Sequence, residues 1–581
     1  MANTPLELDK KCGRDGLAKA IGMYWSTWNM QRNPKIQEWK ELRNYLFATD
    51  TTTTSNNSLP WKNKTTLPKL CQIRDNLHSN YISALFPNDE WLSWEGYSVN
   101  DSIQEKRKAI EAYMSNKCRM GDFRQVMSQL LLDYIDYGNA FATCDFISNL
   151  REGVNGEIIP VFIGPKARRI SPMDIVFNPL ATSFEESPKI VRSLVTIGEI
   201  AALADSNPDN AYLTDALKRR KKIQARPGAY GFEDATKYEG IQIDGFGSYM
   251  EYLTSGYVEV LNFYGDIYDE DSGEFLKGYR VVVIDRMWVI EKGPIPQWLG
   301  GAPIYHCGWR TRPDNLWAMG PLDNLVGMQY RIDHLENLKA DAMDLAVMPP
   351  LVIAGEVEAF TWEPGAEIHL DENGTVTELA RNSQWVIQAD NAIQLLEQRM
   401  EMYSGAPREA MGIRTAGEKT AFEVQQLQNA AGRIFQEKIT HFETMLMEKL
   451  LNAMLETSVR NLDRVDVVRA IDNDLGAQVF LDITKDDITA NGVLRPIGAR
   501  HFAAQAQMMQ NLTGVFNSPV GQMIAPHVST KKLATLVEDM IGIGRFQIIK
   551  PFVQIEEQQE LQTYANTAQE TMIEQDNLPT P

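Results

Sequence analysis

Residues 412–421 read GIRTAGEKTA, and glycine, arginine, lysine and threonine together are the residue types that cradle phosphate. In a nucleotide-binding loop, G-x-x-x-x-G-K-[ST], backbone N–H groups wrap the phosphates, the lysine reaches the terminal ones and the hydroxyl ligates magnesium. Gly412 and Gly417 have that spacing, but Glu418 separates the second glycine from Lys419 and Thr420. Such a loop also needs a buried strand before it. Here the preceding residues, QLLEQRMEMYSGAP, have helical character. A glutamate carried toward the phosphates would repel them as well. The stretch therefore reads as a glycine-bearing loop that opens a helix, with Glu418 in the first turn where a negative charge is favourable.

The other candidate chemistries fail in similar ways. IGIGR at 541–545 lacks the third glycine and the βαβ frame of a dinucleotide site. DEDSGEF at 269–275 lacks the twelve-residue ligand spacing of a calcium loop and reads as a hairpin turn. The seven histidines form no H-E-x-x-H pair, and no serine lies in a G-x-S-x-G elbow. His334 and His441 lie on helical stretches and read as packing or surface residues. The run KRRKK at 218–222 could meet phosphate, but it reads as a solvated loop. Five cysteines are scattered without a C-x-x-C pair, which speaks against a zinc ribbon or a disulfide framework and for a reduced, intracellular setting. No catalytic constellation, cofactor site or metal site is expected, so the chain is read as a non-enzyme.

The elements that must position the 412–421 loop are legible from periodicity. Residues 15–47 repeat Trp25, Trp28, Ile36, Trp39, Leu42 and Tyr45 at helical spacing, and helices are expected at 70–85, 103–118 and 122–136. Strand-like runs follow (AFATCDF, IIPVFIGPKARRISP, DIVFNP), then a meander over 256–310. A helix is expected over 320–347 with Leu322, Leu325, Ile332, Leu335, Ala342 and Leu345 on one apolar face, and Pro321 in its first turn. Strands and turns should fill 351–388, with a helix at 391–403. After the loop, 418–456 reads as one long helix, 461–490 as a β-rich patch and 498–545 as helical. The fold class is α+β. A hydrophobic fraction of 44% supports a sizeable core, and a formal charge of −20 argues against a sequence-reading DNA binder held by a basic face. No apolar run is long enough to span a membrane. The chain is expected to be soluble and unexported.

The succession of these stretches carries a resemblance. GWRTRPDNLWAMGPLDNLVGMQYRIDHLENLKADAMDLAVMPPLVI, followed later by YSGAPREAMGIRTAGEKTAFEVQQLQNAAGRIFQEKITHFE, resembles bacteriophage portal proteins, the head-to-tail connectors of short-tailed phages. LPWKNKTTLPKLCQIRDNL, LLDYIDYGNAFATCDF and RRISPMDIVFNPLA resemble that family too, in its order, over roughly residues 15–545. The resemblance implies a ring oligomer, of twelve copies, with a central channel. Residues 1–316 would be the wing (N-terminal helices and β-meander), 317–348 the first stem helix, 349–389 a small α/β clip and 390–404 the second stem helix. Residues 405–419 would be a tunnel loop, 420–494 the long helix and remaining wing, and 495–554 a helical crown. The tail 555–581, with six acidic residues and no lysine or arginine, reads from its composition as without fixed structure, and its shortness departs from relatives that carry a helical barrel there, so no barrel is expected. The loop's Arg408, Arg414 and Lys419 would make transient contact with the DNA backbone, and Gly405, Gly412 and Gly417 would give it flexibility. Alternatively, the three basic side chains pair with Glu409, Glu418 or a neighbouring subunit. Implied partners are copies of the chain, double-stranded DNA passing without sequence specificity, the terminase motor, major capsid or scaffolding protein, and tail adaptor and nozzle proteins. The implied location is the portal vertex of the virion, with assembly in the host cytoplasm. Another head–tail adaptor, or a nucleotide-driven packaging enzyme, are the alternatives.

Overall fold

The computed structural model describes residues 13–47, 54–86, 91–97, 102–152, 158–225, 256–269, 274–296, 298, 300–347, 351–355, 374–378, 384–404, 434–462, 466–471, 478–489 and 491–496. The fold is mixed α+β. It forms two compact units, Met1–Ser83 with Cys118–Arg460, and Ala84–Lys117 with Asn461–Pro581.

The first unit is built on a five-stranded antiparallel sheet of β4 (Ile175–Phe177), β5 (Lys189–Thr196), β6 (Tyr257–Asp269), β7 (Glu274–Ile284) and β8 (Trp288–Pro294), in that spatial order. Helix α1 (Gly13–Phe47) covers one face: Leu17, Ile21, Trp25 and Trp28 pack against Ile190, Leu261, Val281 and Val283. Helices α5 (Ile197–Ser206) and α6 (Ala211–Ala225) cover the other, where Ile200, Leu213 and Ala216 meet Val258, Val260, Val282 and Ile284. The run Val281-Val282-Val283-Ile284 is continuously apolar because alternate side chains enter different cores, and both faces are covered. Asp269 and Glu274, which flank the expected turn, pair antiparallel at the end of the β6–β7 ladder.

KRRKK is not a loop. It lies in the C-terminal half of α6, where Leu213, Ala216 and Arg220 form the buried face at helical spacing. Arg220 turns inward to donate to the Tyr257 carbonyl at 2.8 Å and to pair with Asp285 at 3.3 Å. The surrounding lysines and arginines masked this face in the sequence.

A second sheet orders as β3-β2-β9, from β2 (Asn139–Glu152), β3 (Ile158–Ile170) and β9 (Tyr305–Gly308). Helix α4 (Phe123–Asp136) reaches it through a turn at Gly138, whose φ is +68° and whose place no side chain could take. A Cβ there would sit 2.4 Å from the Gly320 nitrogen. Helix α2 (Lys69–Leu85) precedes this region, and helical residues 434–461 close the unit. This last run is interrupted by a π-helical turn at Glu443–Met447 and buries Phe442, Leu446, Leu450 and Leu451. Residues 418–433 of the expected long helix lie outside the described residues.

In the second unit β1 (Leu92–Gly96) pairs antiparallel with β16 (Gly492–Pro496), and Trp94 lies buried against Gly492. Helix α3 (Ser102–Met120) contributes Glu111, which accepts the Trp94 N–H at 2.7 Å. Strands β14 (Asp466–Ile471) and β15 (Gln478–Ile483) form the expected β-rich patch. Residues 497–581, including nearly all of the expected crown and the acidic tail, lie outside the described residues.

Candidate functional site

The loop residues singled out in the sequence, Gly405, Arg408, Gly412, Arg414, Gly417 and Lys419, all lie outside the described residues. What the structure describes is the helical frame around them: α7 (Val326–Val347), a two-stranded antiparallel hairpin of β12 (Leu351–Ala354) and β13 (Thr375–Glu378), and α8 (Gln384–Tyr403). Ser404 ends this frame fully buried, its hydroxyl donating to the Glu401 carbonyl at 2.7 Å.

The frame departs from expectation in three ways. First, α7 begins at Val326, after a 3-10 turn at Asp323–Leu325, and not at Gly320 or Pro321. The Asp323 carboxylate accepts the Gly320 N–H at 3.1 Å and Lys35 at 3.3 Å, which fixes the bend before the helix. Second, α8 begins at Gln384, so residues 384–388 are helical where strands and turns were expected. Trp385, Val386 and Ile387 favour strands intrinsically, and the helix prevails through its continuation into the packed residues Ile393 and Met400. Third, the expected apolar face of α7 is buried only at its start. Leu322, Leu325 and Ile332 are buried, whereas Leu345 is exposed.

A second, polar face of α7 is buried instead. Gln329, Asp333 and Asn337 are fully buried, and with Asp341 they repeat every four residues. They grip the backbone of the segment 62–70 that leads into α2. Asp341 accepts the N–H groups of Lys62 and Asn63 at 3.0 and 2.9 Å. Asn337 accepts from the Thr65 N–H and donates to the Thr65 carbonyl, both at 2.8 Å. Asp333 accepts the Leu67 N–H at 3.0 Å. Gln329 donates to the Leu67 carbonyl at 2.6 Å and accepts the Leu70 N–H at 3.3 Å.

The match is geometric. Four residues of α-helix rise about 6 Å, and two residues of extended chain advance about 6.6 Å. Asp341, Asn337 and Asp333 therefore fall opposite Asn63, Thr65 and Leu67 in turn. The helix's side chains serve the segment as a neighbouring strand would, satisfying backbone groups that burial would otherwise orphan. The sequence carried a signal for this, a polar residue at each fourth position, but the apolar spacing of the same helix dominated the reading.

The strap ends at Lys69, whose ammonium meets Glu401 near the end of α8 at 2.6 Å, both side chains being buried. Further along, Lys339 of α7 meets Asp390 near the start of α8 at 2.9 Å. These two pairs require that α7 and α8 run antiparallel. Beyond the strap the pair leaves large apolar side chains in solvent: Met343 and Val347 on α7, Val352 and Ile353 on β12, and Trp385 and Ile387 on α8. Trp385 is 71% exposed and Val347 81%, values foreign to a core and suited to burial against another molecule. Each helix carries two more acidic than basic residues.

The remaining sequence candidates are structural. His334 packs against Trp61 with ring centroids 5.1 Å apart and the rings tilted at 51°. His306, passed over in the sequence, lies within the first unit's aromatic core, stacked on Phe141 at 4.6 Å, with Nε2 3.1 Å from the Asn139 amide oxygen. Burial, with the charge of Lys189 and the nearby His441, lowers its pKa to about 3. Lys189 is also buried; it donates to the Phe184 and Glu185 carbonyls, and desolvation lowers its pKa to about 8. Among the described residues no three metal-ligating side chains converge, and no helix is long and apolar enough to cross a membrane.

The described fold is thus an α+β chain whose distinctive feature is an antiparallel helix pair, clasped by a strap at one end and carrying a small hairpin at the other. No family model and no curated protein matches the chain.

Proposed function

We propose that this chain is a portal subunit, one of a ring of twelve that forms the channel for packaging and ejection of double-stranded DNA at a single capsid vertex. The observation that carries the reading is the α7–α8 pair, antiparallel, ending in the β12–β13 hairpin, with apolar side chains exposed along both helices and the hairpin. A single chain gains nothing from exposing them. Copies arranged side by side around an axis would bury them. The order of sequence stretches that resembles portal proteins supports the same reading.

On this reading α7 and α8 are the stem helices and β12–β13 part of the clip, where the terminase motor and the tail adaptor and nozzle proteins dock in turn. Major capsid or scaffolding protein would seat the ring in the virion. The acidic excess on both helices would keep the phosphate backbone from sticking, since each neutralised phosphate adds counterion-release affinity. Arg408, Arg414 and Lys419 would supply brief contacts as DNA passes, and Gly405, Gly412 and Gly417 the loop's freedom to follow it.

Electron microscopy of the purified chain tests the proposal. Rings with an open central channel are the expected result. A monomer that hydrolyses ATP would overturn it in favour of a packaging motor, and a closed assembly without a channel in favour of another structural adaptor.

A further inference from the structure

Asp333 is the one carboxyl group in the middle of the clasp between α7 and the strap. It is fully buried. Its Oδ1 accepts two hydrogen bonds, from the Leu67 N–H at 3.0 Å and the Gln329 amide at 2.8 Å, while its Oδ2 is buried with no hydrogen-bond partner. An ionised carboxylate in this setting would want a cation or further donors. The charged groups around it are committed elsewhere. On the strap, Lys69 pairs with Glu401 of α8, and Lys64 donates to the Leu59 carbonyl at 2.8 Å and lies over the Trp61 ring. On α7, Lys339 pairs with Glu336 and Asp390, and His334 packs at a tilt against Trp61. Arg331 on α7 and Arg399 on α8 are exposed, and Lys62 meets the ladder through its backbone N–H. On α1, Lys35 pairs with Glu38 and Asp323.

We propose that the strap and α7 form a proton-dependent latch, in which Asp333 holds the strap as the neutral acid and loosens it as the carboxylate. The two-bond oxygen then acts as the carbonyl of the acid, and the oxygen without a donor carries the proton. Burial pushes the Asp333 carboxyl up to about 7, against the Leu67 N–H and the Gln329 amide, which pull it down. The neighbouring Asp341, at the exposed end of the same ladder, shifts the other way. There burial, the largest single effect, is outweighed by the N–H groups of Lys62 and Asn63 and the Asn63 amide acting together, and its pKa falls below the usual carboxylate value.

The direction of the response follows. With the strap open, Asp333 sits in water and ionises near the usual aspartate value of about 3.9. Opening therefore releases a proton at any pH between that value and about 7. The closed latch is fully favoured below that window, and it weakens about tenfold per pH unit across it. Above pH 7 both states are ionised and the response levels off. Lys69 carries the strap's hold over to α8 through Glu401, so the same titration changes how firmly the helix pair is clasped. The latch belongs to the single chain and holds whatever its assembly state.

Hydrogen exchange of the full-length chain tests this, read by mass spectrometry on peptides spanning 61–70 and corrected for the intrinsic pH dependence of exchange. The open-to-closed ratio of the strap should rise about tenfold per unit from pH 5 to 7, then stay level to pH 8. Asp333→Asn keeps an acceptor for Leu67 and Gln329 and should abolish the slope. A level wild-type profile overturns the proposal, as does a slope that persists in Asp333→Asn. Should that variant not fold, Asp341→Asn decides: the slope should survive it, and its loss would move the titration to Asp341 and overturn the latch.

Discussion

Asn139 and His306 show how buried polar residues are kept satisfied without chemistry. The Asn139 amide donates to the Tyr137 and Ala318 carbonyls and its oxygen accepts the Ala318 N–H, so it stitches the end of α4 to the strand Asn315–Met319. Because an amide oxygen only accepts, neutral His306 donates from Nε2. Burial of that neutral ring has a cost in acid. Its pKa is depressed from 6.5 to about 3 by burial first and by the charge of Lys189 second. The unfolded chain takes up a proton below pH 6.5 that the folded chain refuses. The contribution is complete above pH 6.5 and is lost at about 1.4 kcal/mol per pH unit as pH falls toward 3. His306→Phe should flatten that part of the stability profile, as measured by urea unfolding between pH 7 and 5. An unchanged slope would place the acid sensitivity elsewhere.

At the scale of elements, α7 divides into a clasped half and a bare half, and each predicts a different phenotype. Asn337→Ala removes both bonds to Thr65, and the expected loss is about 1–3 kcal/mol of stability. Limited proteolysis should then cut within 61–68, while the β2–β3 hairpin stays resistant. The bare half should behave in the opposite way. Leu345→Asp and Val347→Asp change exposed side chains, so the unfolding midpoint of the monomer should move by no more than about 0.5 kcal/mol. If the proposed ring forms, its assembly, read by sedimentation or electron microscopy, should nevertheless be lost, because a charge would be forced into the apolar contact between copies. Intact rings in both variants would remove the helix pair from the subunit interface.

At the scale of the whole molecule, the charge of −20 would set the conditions for assembly of the proposed ring. Like-charged subunits repel, and salt screens that repulsion over about 10 Å at 0.1 M. The ring fraction at fixed protein concentration should therefore rise with added salt through the physiological range before apolar contacts dominate. Analytical ultracentrifugation in a salt series checks this. A ring that dissociates as salt is raised would mean that ion pairs, rather than the apolar side chains of α7, α8 and β12, hold the copies together.

Where one pattern governed a stretch, the sequence settled its structure. The tryptophans of α1, the β6–β8 meander and the hairpin at 269–274 were all legible, because helical spacing, alternation and turn residues are local properties. So was the class, α+β. The tertiary structure decided whatever depended on partners distant in the chain. Arg220 became a buried helix residue because Asp285 and the Tyr257 carbonyl await it, and residues 384–390 became helix because α8 continues into packed residues. The polar ladder of α7 became a clasp only because the segment at 62–70 brings it backbone groups in matching steps. No local rule says what a buried side chain will meet some 270 residues away, and it was the fold that made Gln329, Asp333, Asn337 and Asp341 the grip on the strap.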